Sequence, residues 1–413
     1  MFEKADKGEG RKAFVVGLVN RLSEKSENHS LTEMQSLAAS AGFTVSGSAS
    51  LKLNKPTPRT FLGSGKAEIL AAKIHDTESD CAVLDREITP SQQYNLSQLL
   101  GVTVYTKNEI IHLIFASHAK TAEGKIKVEL ADLRYRLSRL PGKGNELSRT
   151  GAGIGTRGPG EQQIESSRRF IKDRISLLTR RLKQITRRRK LNKSLRYQKG
   201  FPQVAIVGYT NAGKSTILNA LTGSHETVQD KLFATLHPAA RQTFIAGIGE
   251  TVFSDTVGFI REMPPTLKDA FRATMEEVLD ADLILQVIDA SDPAFSIHYQ
   301  VIIQTLREIG AMGTPAIAVF NKIDTLVEPF HVPPEITKHH PHVFVSAKKG
   351  YGLQGLIDEI VQQLEKKISQ VDIVTDYHNL PEIEKDIYRN GYIEDMKPVN
   401  DKKVRVRGIV RKH

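Results

Sequence analysis

Residues 203–215, QVAIVGYTNAGKS, constrain the fold of this chain more than any other stretch. The run VAIVG is short, apolar and β-branched, which reads as a buried strand. The next eight residues, Gly208 to Ser215, fit the phosphate-loop pattern G-x-x-x-x-G-K-S, which demands a strand before it and a helix after it. Gly208 and Gly213 let the backbone curl so that the N–H groups of Tyr209, Thr210, Asn211 and Ala212 can face a phosphate. The dipole of the helix opening at Lys214 favours negative charge at the same place. Lys214 is placed to bridge the β- and γ-phosphates, the Ser215 hydroxyl to bind Mg²⁺, and Thr216 follows in the first turn. Around this strand, TVFSDT, LILQVID, AIAVFN and HVFVSA are further apolar runs separated by helical segments. The expectation is an α/β doubly wound sheet over residues 201–367.

The base and the switch are read from the residues at the ends of those strands. Asp255-Thr256-Val257-Gly258 closes TVFS; there a carboxylate can hold Mg²⁺ through water and the Gly258 N–H can sense a γ-phosphate. Asn321-Lys322-Ile323-Asp324 closes AIAVF. The Asp324 carboxylate can accept both N1–H and the 2-amino group of guanine, a pair that adenine cannot offer, and an unpaired carboxylate there would penalise ATP. Ser346-Ala347-Lys348 closes VFV and would bring a backbone N–H to guanine O6. Between the first two strands, Phe233-Ala234-Thr235-Leu236-His237 supplies Thr235 as the switch threonine for Mg²⁺. Five signals in this order predict a GTP-binding, GTP-hydrolysing switch, with Lys214, Thr235 and Gly258 closest to the chemistry. Phe259 comes after the DTVG motif where many GTPases carry a glutamine. A phenyl ring cannot orient water, so intrinsic hydrolysis is expected to be slow and raised by a partner. Asn211 resembles the asparagine of potassium-activated GTPases, so K⁺ is a candidate second cation beside Mg²⁺; a plain loop hydrogen bond is the other reading.

Elsewhere the chain divides at changes of pattern. Residues 1–120 alternate strands (AFVVGLV, CAVLDR, VTVYT) with helices and predict a small α/β domain with a mainly parallel sheet. Ile126, Leu130, Leu133, Leu137 and Leu140 are spaced 4-3-4-3, as are Ile171, Ile175, Leu178, Leu182 and Ile185. The two seams predict an antiparallel coiled-coil hairpin over 121–200, around a glycine-rich loop at 141–163. Residues 368–413 carry a strand–helix–strand–strand pattern and read as a small appended domain. Cys81 is the only cysteine, which rules out intramolecular disulfides and cysteine-rich zinc clusters. The first residues are neither signal peptide nor apolar span, so a cytoplasmic, membrane-free chain is expected, and a monomer.

The net charge of +11 is concentrated. Residues 166–200 hold 14 Lys/Arg and one acid, a local charge of +13, so everything else sums to −2. Without acidic partners this cannot be a salt-bridged helix surface, and nucleic-acid phosphates are the natural counter-ion. Arg187, Arg188, Arg189 and Lys190 should meet backbone rather than bases; Arg149, Arg157, Arg168 and Arg169 extend the surface into the loop and the start of the second helix.

Three stretches beyond the switch motifs carry a resemblance: TFLGSGKAEIL at 60–70, KIKVELADLRYRLSRL at 125–140 and GAGIGTRGPGEQQIESSRRFIKDRI at 151–175. With them the chain resembles the HflX family of translation-factor-related GTPases over nearly its whole length. The resemblance implies binding to the large ribosomal subunit and its RNA in the GTP state, hydrolysis stimulated by the ribosome, and a role in splitting or rescuing ribosomes. It also implies that the N-terminal domain and hairpin engage ribosomal RNA, with the glycine-rich loop directed towards the peptidyl transferase centre, and that Ser215 and Thr235 bind Mg²⁺. The family usually has an acidic residue after FATL, where this chain has His237, which bears on the setting of the first switch. A large-subunit assembly factor, or an RNA-binding scaffold in which GTP is structural, would use the same features. LGSGKAE around Lys66 lacks the glycine and the hydroxyl of a second phosphate loop, GAGIG at 151–155 lacks the context of a dinucleotide site, and His339, His340 and His342 read as a loop before a strand.

Overall fold

The computed structural model describes residues 10–19, 24–53, 55–119, 121–140, 159–197, 201–224, 239–260, 275–326, 330–337 and 340–411. These fall into two compact units, one up to Leu182 and the other from Lys183.

In the first unit, KAFVVGLV forms β1 (Lys12–Val19). Seven consecutive buried residues from Ala13 show a strand covered on both faces, as in parallel sheets packed between helices. It is followed by α1 (Glu24–Ser40), β2 (Thr44–Lys52), α2 (Ser64–Asp76), β3 (Cys81–Leu84), α3 (Pro90–Leu100), β4 (Thr103–Thr106) and α4 (Lys107–His118). The sheet is entirely parallel in the order β2-β1-β3-β4. Cys81 is a fully buried strand residue. Local sequence sets the helix starts. Thr89 caps α3 in a reciprocal box with Gln92 and has Pro90 behind it, and Thr106 caps α4 with Glu109. β2, TVSGSASLK, has no apolar run to announce it; it lies at the sheet edge, where small polar residues are tolerated.

Helix α5 (Ala122–Arg139) and the 39-residue α6 (Pro159–Tyr197) come next. Their contact is built from Ile126, Leu130 and Leu133 against Ile171, Ile175, Leu178 and Leu182. These are the described contacts of the seam that the 4-3-4-3 spacing predicts. Arg174 reinforces it with an ion pair to Glu129 at 2.7 Å. The helix begins at Pro159, inside the stretch expected to be loop up to 163. Proline has no N–H to leave unsatisfied and its φ suits a first helical position.

The second unit holds a six-stranded sheet. In chain order it contains β5 (Gln203–Gly208), α7 (Lys214–Thr222), β6 (Ala239–Ile245), β7 (Gly249–Asp255), α8 (Glu276–Leu279), β8 (Leu283–Asp289), α9 (Phe295–Ile309), β9 (Ala316–Asn321), α10 (Pro334–Thr337), β10 (His342–Phe344) and α11 (Leu353–Glu365). The strand order is β10-β9-β8-β5-β7-β6, parallel except for the edge strand β6, which runs antiparallel to β7. Val204, Ile206, Leu285, Val287 and Val319 share one core with Ile217 and Leu218 of α7 and Leu356, Ile360 and Leu364 of α11. Each such buried aliphatic side chain contributes roughly 1.5–3 kcal/mol. The doubly wound sheet matches the sequence expectation; β6, AARQTFI, is the strand that the apolar-run criterion passes over.

β11 (Ile368–Asp376), α12 (Leu380–Asn390), β12 (Gly391–Pro398) and β13 (Lys403–Arg411) complete the chain as an antiparallel sheet ordered β11-β13-β12. Ile387, Val404 and Val406 form its core. Among the described residues no helix is long and apolar enough to cross a membrane.

Candidate functional site

The site lies at the carboxyl ends of β5, β7, β8 and β9, where a doubly wound sheet leaves its crevice. Residues 209–213 connect β5 to α7, and Gly213 stands at the helix start with φ +92°. Asn211 also has positive φ, +62°. Lys214 is buried and donates from Nζ to the Tyr209 carbonyl at 2.9 Å, which lays its side chain along the loop. Burial pulls its ammonium down to about 8, against the Asp255 carboxylate, which favours the charged form. Ser215 Oγ donates to Asp255 Oδ2 at 2.6 Å, so the hydroxyl and carboxylate expected to face Mg²⁺ converge although 40 residues separate them in the chain. Thr216 is half-buried in the first turn.

The segment after β7 is stitched to the loop by its backbone. Thr210 N–H donates to the Phe259 carbonyl at 2.9 Å and Phe259 N–H to the Gly208 carbonyl at 3.0 Å. Thr256 Oγ1 donates to the Ile206 carbonyl at 2.8 Å, and Thr256 and Val257 are fully buried. Gly258 is thereby pressed against the loop: a Cβ there would lie 2.9 Å from Thr210 Cα and 3.0 Å from Lys214 Nζ. Phe259 is 1% exposed, its side chain buried.

Asn321 ties the base-recognition loop to the phosphate loop. Its Nδ2 donates to the Ala212 carbonyl at 2.9 Å and its Oδ1 accepts from the Ala347 N–H at 3.0 Å. Ser346 N–H donates to the Tyr351 carbonyl at 2.9 Å. Asp324 stands exposed on a short 3₁₀ turn (Ile323–Thr325), and the hydrogen bond from Ser346 holds its carboxyl below the usual range. Lys322, with φ +65°, reaches Asp289 Oδ2 at 2.6 Å, and Lys348 is exposed. The structure therefore gathers Gly208–Thr216, Asp255–Gly258, Asn321–Asp324 and Ser346–Lys348 into one crevice. Phe233, Ala234, Thr235, Leu236 and His237 lie outside the described residues, as do Arg149 and Arg157. Arg187, Arg188, Arg189 and Lys190 fall on the backbone of α6, and Arg168 and Arg169 lie in its earlier part, Arg169 exposed.

Three features had no signal in the motifs. The Tyr209 ring stacks on His298 of α9, with centroids 3.7 Å apart and planes at 13°, and His298 Nδ1 lies 3.7 Å from Asp292 Oδ2. Asp289 restrains Lys322. Phe259 joins the two loops through its main chain. The last is a matter of position, since the residue after a DTVG glycine must pass the loop; a stacked histidine 89 residues away cannot be read from spacing. His342 packs edge-on to Phe344, and among the described residues no three His, Cys, Asp or Glu side chains gather as a metal site.

A phosphate loop on β5, a serine and an aspartate converging at its helix, and an Asn-Lys-Ile-Asp turn bound to its carbonyl define the class: this is a P-loop GTPase. Family models agree along the chain, matching GTP-binding GTPase N-terminal at residues 28–116, GTP-binding GTPase Middle Region at 118–196 and 50S ribosome-binding GTPase at 203–322. The GTPase HflX of Caldanaerobacter subterraneus subsp. tengcongensis is 41% identical over 88% of this chain and 84% of its own length. That of Escherichia coli is 37% identical over 90% and 86%. Among solved structures, the SsGBP–GDP complex superimposes with a TM-score of 0.50 at 26% identity, covering 86% of this chain and 99% of that one. The chain belongs to the HflX family of GTPases, and its reaction is GTP hydrolysis.

Proposed function

We propose that this GTPase binds the large ribosomal subunit in its GTP state, has its hydrolysis stimulated there, and acts in splitting or rescuing ribosomes in the cytoplasm. The observation that carries the ribosomal part is α6. Its face beyond the α5 contact exposes Arg169, Lys172, Arg180, Arg181 and Lys183, and the same helix continues through Arg187–Lys190. A helix with this excess of Lys and Arg, and with a single acid between 166 and its end, suits RNA phosphates. The description of the family model matched at 203–322 supports the same partner. The functional organisation runs along the chain: 1–120 and the hairpin 121–200 for RNA, 201–367 for the nucleotide, 368–413 as an appended sheet.

The nucleotide site works through its own residues. The loop N–H groups and Lys214 hold the β- and γ-phosphates, with Lys214 steadied by the Tyr209 carbonyl. Gly258, seated on Thr210, is the residue whose N–H reports a γ-phosphate. Asp324 accepts from guanine N1–H and N2–H, exchanging its bond from Ser346 for the base, and the 346–348 loop faces O6. The converging Ser215 hydroxyl and Asp255 carboxylate are hard oxygen donors that fit Mg²⁺, with Thr235 as the third protein group. Magnesium bound with GTP neutralises charge developing on the phosphate oxygens. Asn211 is the side chain that would meet K⁺. With Phe259 buried, no side chain at that position orients water, so the chain alone is a slow enzyme, of order 10⁻⁴ to 10⁻³ s⁻¹.

The test is to measure GTP turnover with and without large subunits, then to sediment intact ribosomes with protein and GTP, GDP or a non-hydrolysable analogue. Acceleration on large subunits, with subunit separation supported by the analogue, is the expected result. Binding to precursor particles alone would establish an assembly factor instead, and turnover indifferent to subunits would leave GTP a structural ligand.

A further inference from the structure

The C-terminal sheet shares its core with the GTPase sheet. Ile368 of β11, Tyr392 of β12 and Ile409 of β13 lie in one buried cluster with Ile248 and Phe253 of the β6–β7 hairpin region. Phe201, just ahead of β5, meets the Tyr392 ring edge-on at 5.1 Å.

The polar end of Tyr392 is directed at the hairpin turn. Its Oη accepts the Glu250 N–H at 2.8 Å and donates to the Ile248 carbonyl at 3.2 Å, with Glu394 Oε1 at 3.4 Å. Gln370 of β11 adds a bond to the Gly247 carbonyl at 3.3 Å. Gly249 turns with φ +73°, and a Cβ built there would fall 1.3 Å from Tyr392 Oη, so only glycine admits the ring.

The turn needs an outside hold. β7 pairs with β5 only from Val252 to Asp255, and β6 is an edge strand bonded to β7 alone. Residues 249–251 therefore project beyond the central ladder. At the opposite end of the ribbon Ala239 pairs with Asp255, the carboxylate bonded to Ser215. Six residue steps separate the pair Ile245–Gly249 from the pair Ala239–Asp255, about 20 Å of two-stranded ribbon at roughly 3.3 Å per residue. Asp255 is held by β5 opposite Ile206, and the hydrogen-bonded ribbon, which has little axial slack, also ties it to the turn that Tyr392 holds.

We propose that Tyr392 is a positioning residue for GTP hydrolysis, and that through the β6–β7 ribbon it couples the sheet of residues 368–411 to the nucleotide state of the magnesium site. This rests on the placement of GTP and Mg²⁺ at Lys214, Ser215 and Asp255 under the proposed function. A γ-phosphate that draws Asp255 and Gly258 into place moves the ribbon, and the turn transmits the movement to β12. By reciprocity, whatever holds the C-terminal sheet biases the site between its GTP and GDP states.

The test compares full-length protein with Tyr392→Phe, which keeps the ring packing and removes Oη; Tyr388→Phe, at an exposed position of α12, is the control. Equilibrium affinities for GDP and for a non-hydrolysable GTP analogue are measured with Mg²⁺, together with thermal unfolding. The expected result is a change of about tenfold in the ratio of the two affinities in Tyr392→Phe and none in the control. A ratio within twofold of the parent, or an equal loss of both affinities, would make Tyr392 a structural residue only and overturn the coupling. Amide exchange of the unsubstituted protein gives a second reading that needs no variant. Protection at 247–250 and 391–394 should differ between the analogue-bound and GDP-bound forms, and identical protection overturns the proposal. A parent that binds no GTP removes the site reading and this coupling together; a parent that binds normally beside an unmoved variant removes the coupling alone.

Discussion

Replacing Asn321 with alanine removes one side chain and strips two buried main-chain groups of their partners. The Ala212 carbonyl loses its donor at 2.9 Å and the Ala347 N–H its acceptor at 3.0 Å, at a residue only 3% exposed. A buried polar group left unsatisfied costs about 1–3 kcal/mol. With some relief from relaxation and water, the two together should lower the stability of the nucleotide-free protein by about 2–4 kcal/mol. The same bonds are the bridge between the phosphate loop and the guanine loop, so GDP and GTP affinities should fall together, by about tenfold or more. Asn321→Asp keeps the shape but sets a second acceptor against the Ala212 carbonyl, and should lose at least as much. Urea unfolding gives the stability and titration with a fluorescent guanine nucleotide gives the affinities. A stability change under about 0.5 kcal/mol with unaltered affinity would show that the bridge carries no energy, and the reasoning from these two bonds would be wrong.

The same structure sets other outcomes. Turnover of the isolated protein should stay near 10⁻⁴ to 10⁻³ s⁻¹, to order of magnitude, because Phe259 is buried, and several turnovers per second without a partner would contradict this; if Asn211 meets a monovalent cation, the rate in KCl will exceed that in NaCl. His112, buried between α4 and α5, is held down to about 4 by desolvation. The folded state therefore binds fewer protons than the unfolded chain between about pH 6.5 and 4, and stability is lost as pH falls through that window, by roughly 3 kcal/mol for this group. Glu109 and Asp85, raised by burial, act in the opposite sense. The readout is accordingly the difference in unfolding free energy between parent and His112→Leu at pH 7 and pH 5; a difference that does not change with pH refutes the assignment. Exchanging Arg187, Arg188, Arg189 and Lys190 for glutamine should weaken ribosome binding and flatten its dependence on log salt by about 1 for each phosphate no longer neutralised, and an unchanged slope would place the RNA interface elsewhere.

What could be read in advance was whatever local chemistry enforces. A phosphate loop fixes a strand before it and a helix after it, so β5 and α7 were legible; the buried apolar runs gave β7, β8 and β9, and HVFVSA marked β10 although that strand is a half-exposed edge. Two of the four edge strands of the two larger sheets escaped: β2 carries glycine and serines, and β6 carries Arg241, Gln242 and Thr243, because an edge need not be apolar. The hairpin seam was legible where Leu130 and Leu133 meet Leu178, because apolar residues at 4-3 spacing share one helix face. Asn321 could be named from its motif, but not the Ala212 carbonyl and Ala347 N–H that hold it. The stack of Tyr209 on His298 and the Tyr392 clamp on the β6–β7 turn join residues 89 and more than 140 apart, and no periodicity encodes such meetings.

The most direct measurement is the equilibrium affinity of Lys214→Ala for GTP in the presence of Mg²⁺, beside the unsubstituted protein. Because Lys214 is the buried cation of the phosphate loop, lying between the Tyr209 carbonyl and Gly258, its removal should weaken GTP binding by about a hundredfold or more. Undiminished binding by a folded Lys214→Ala protein would mean that the triphosphate sits somewhere else.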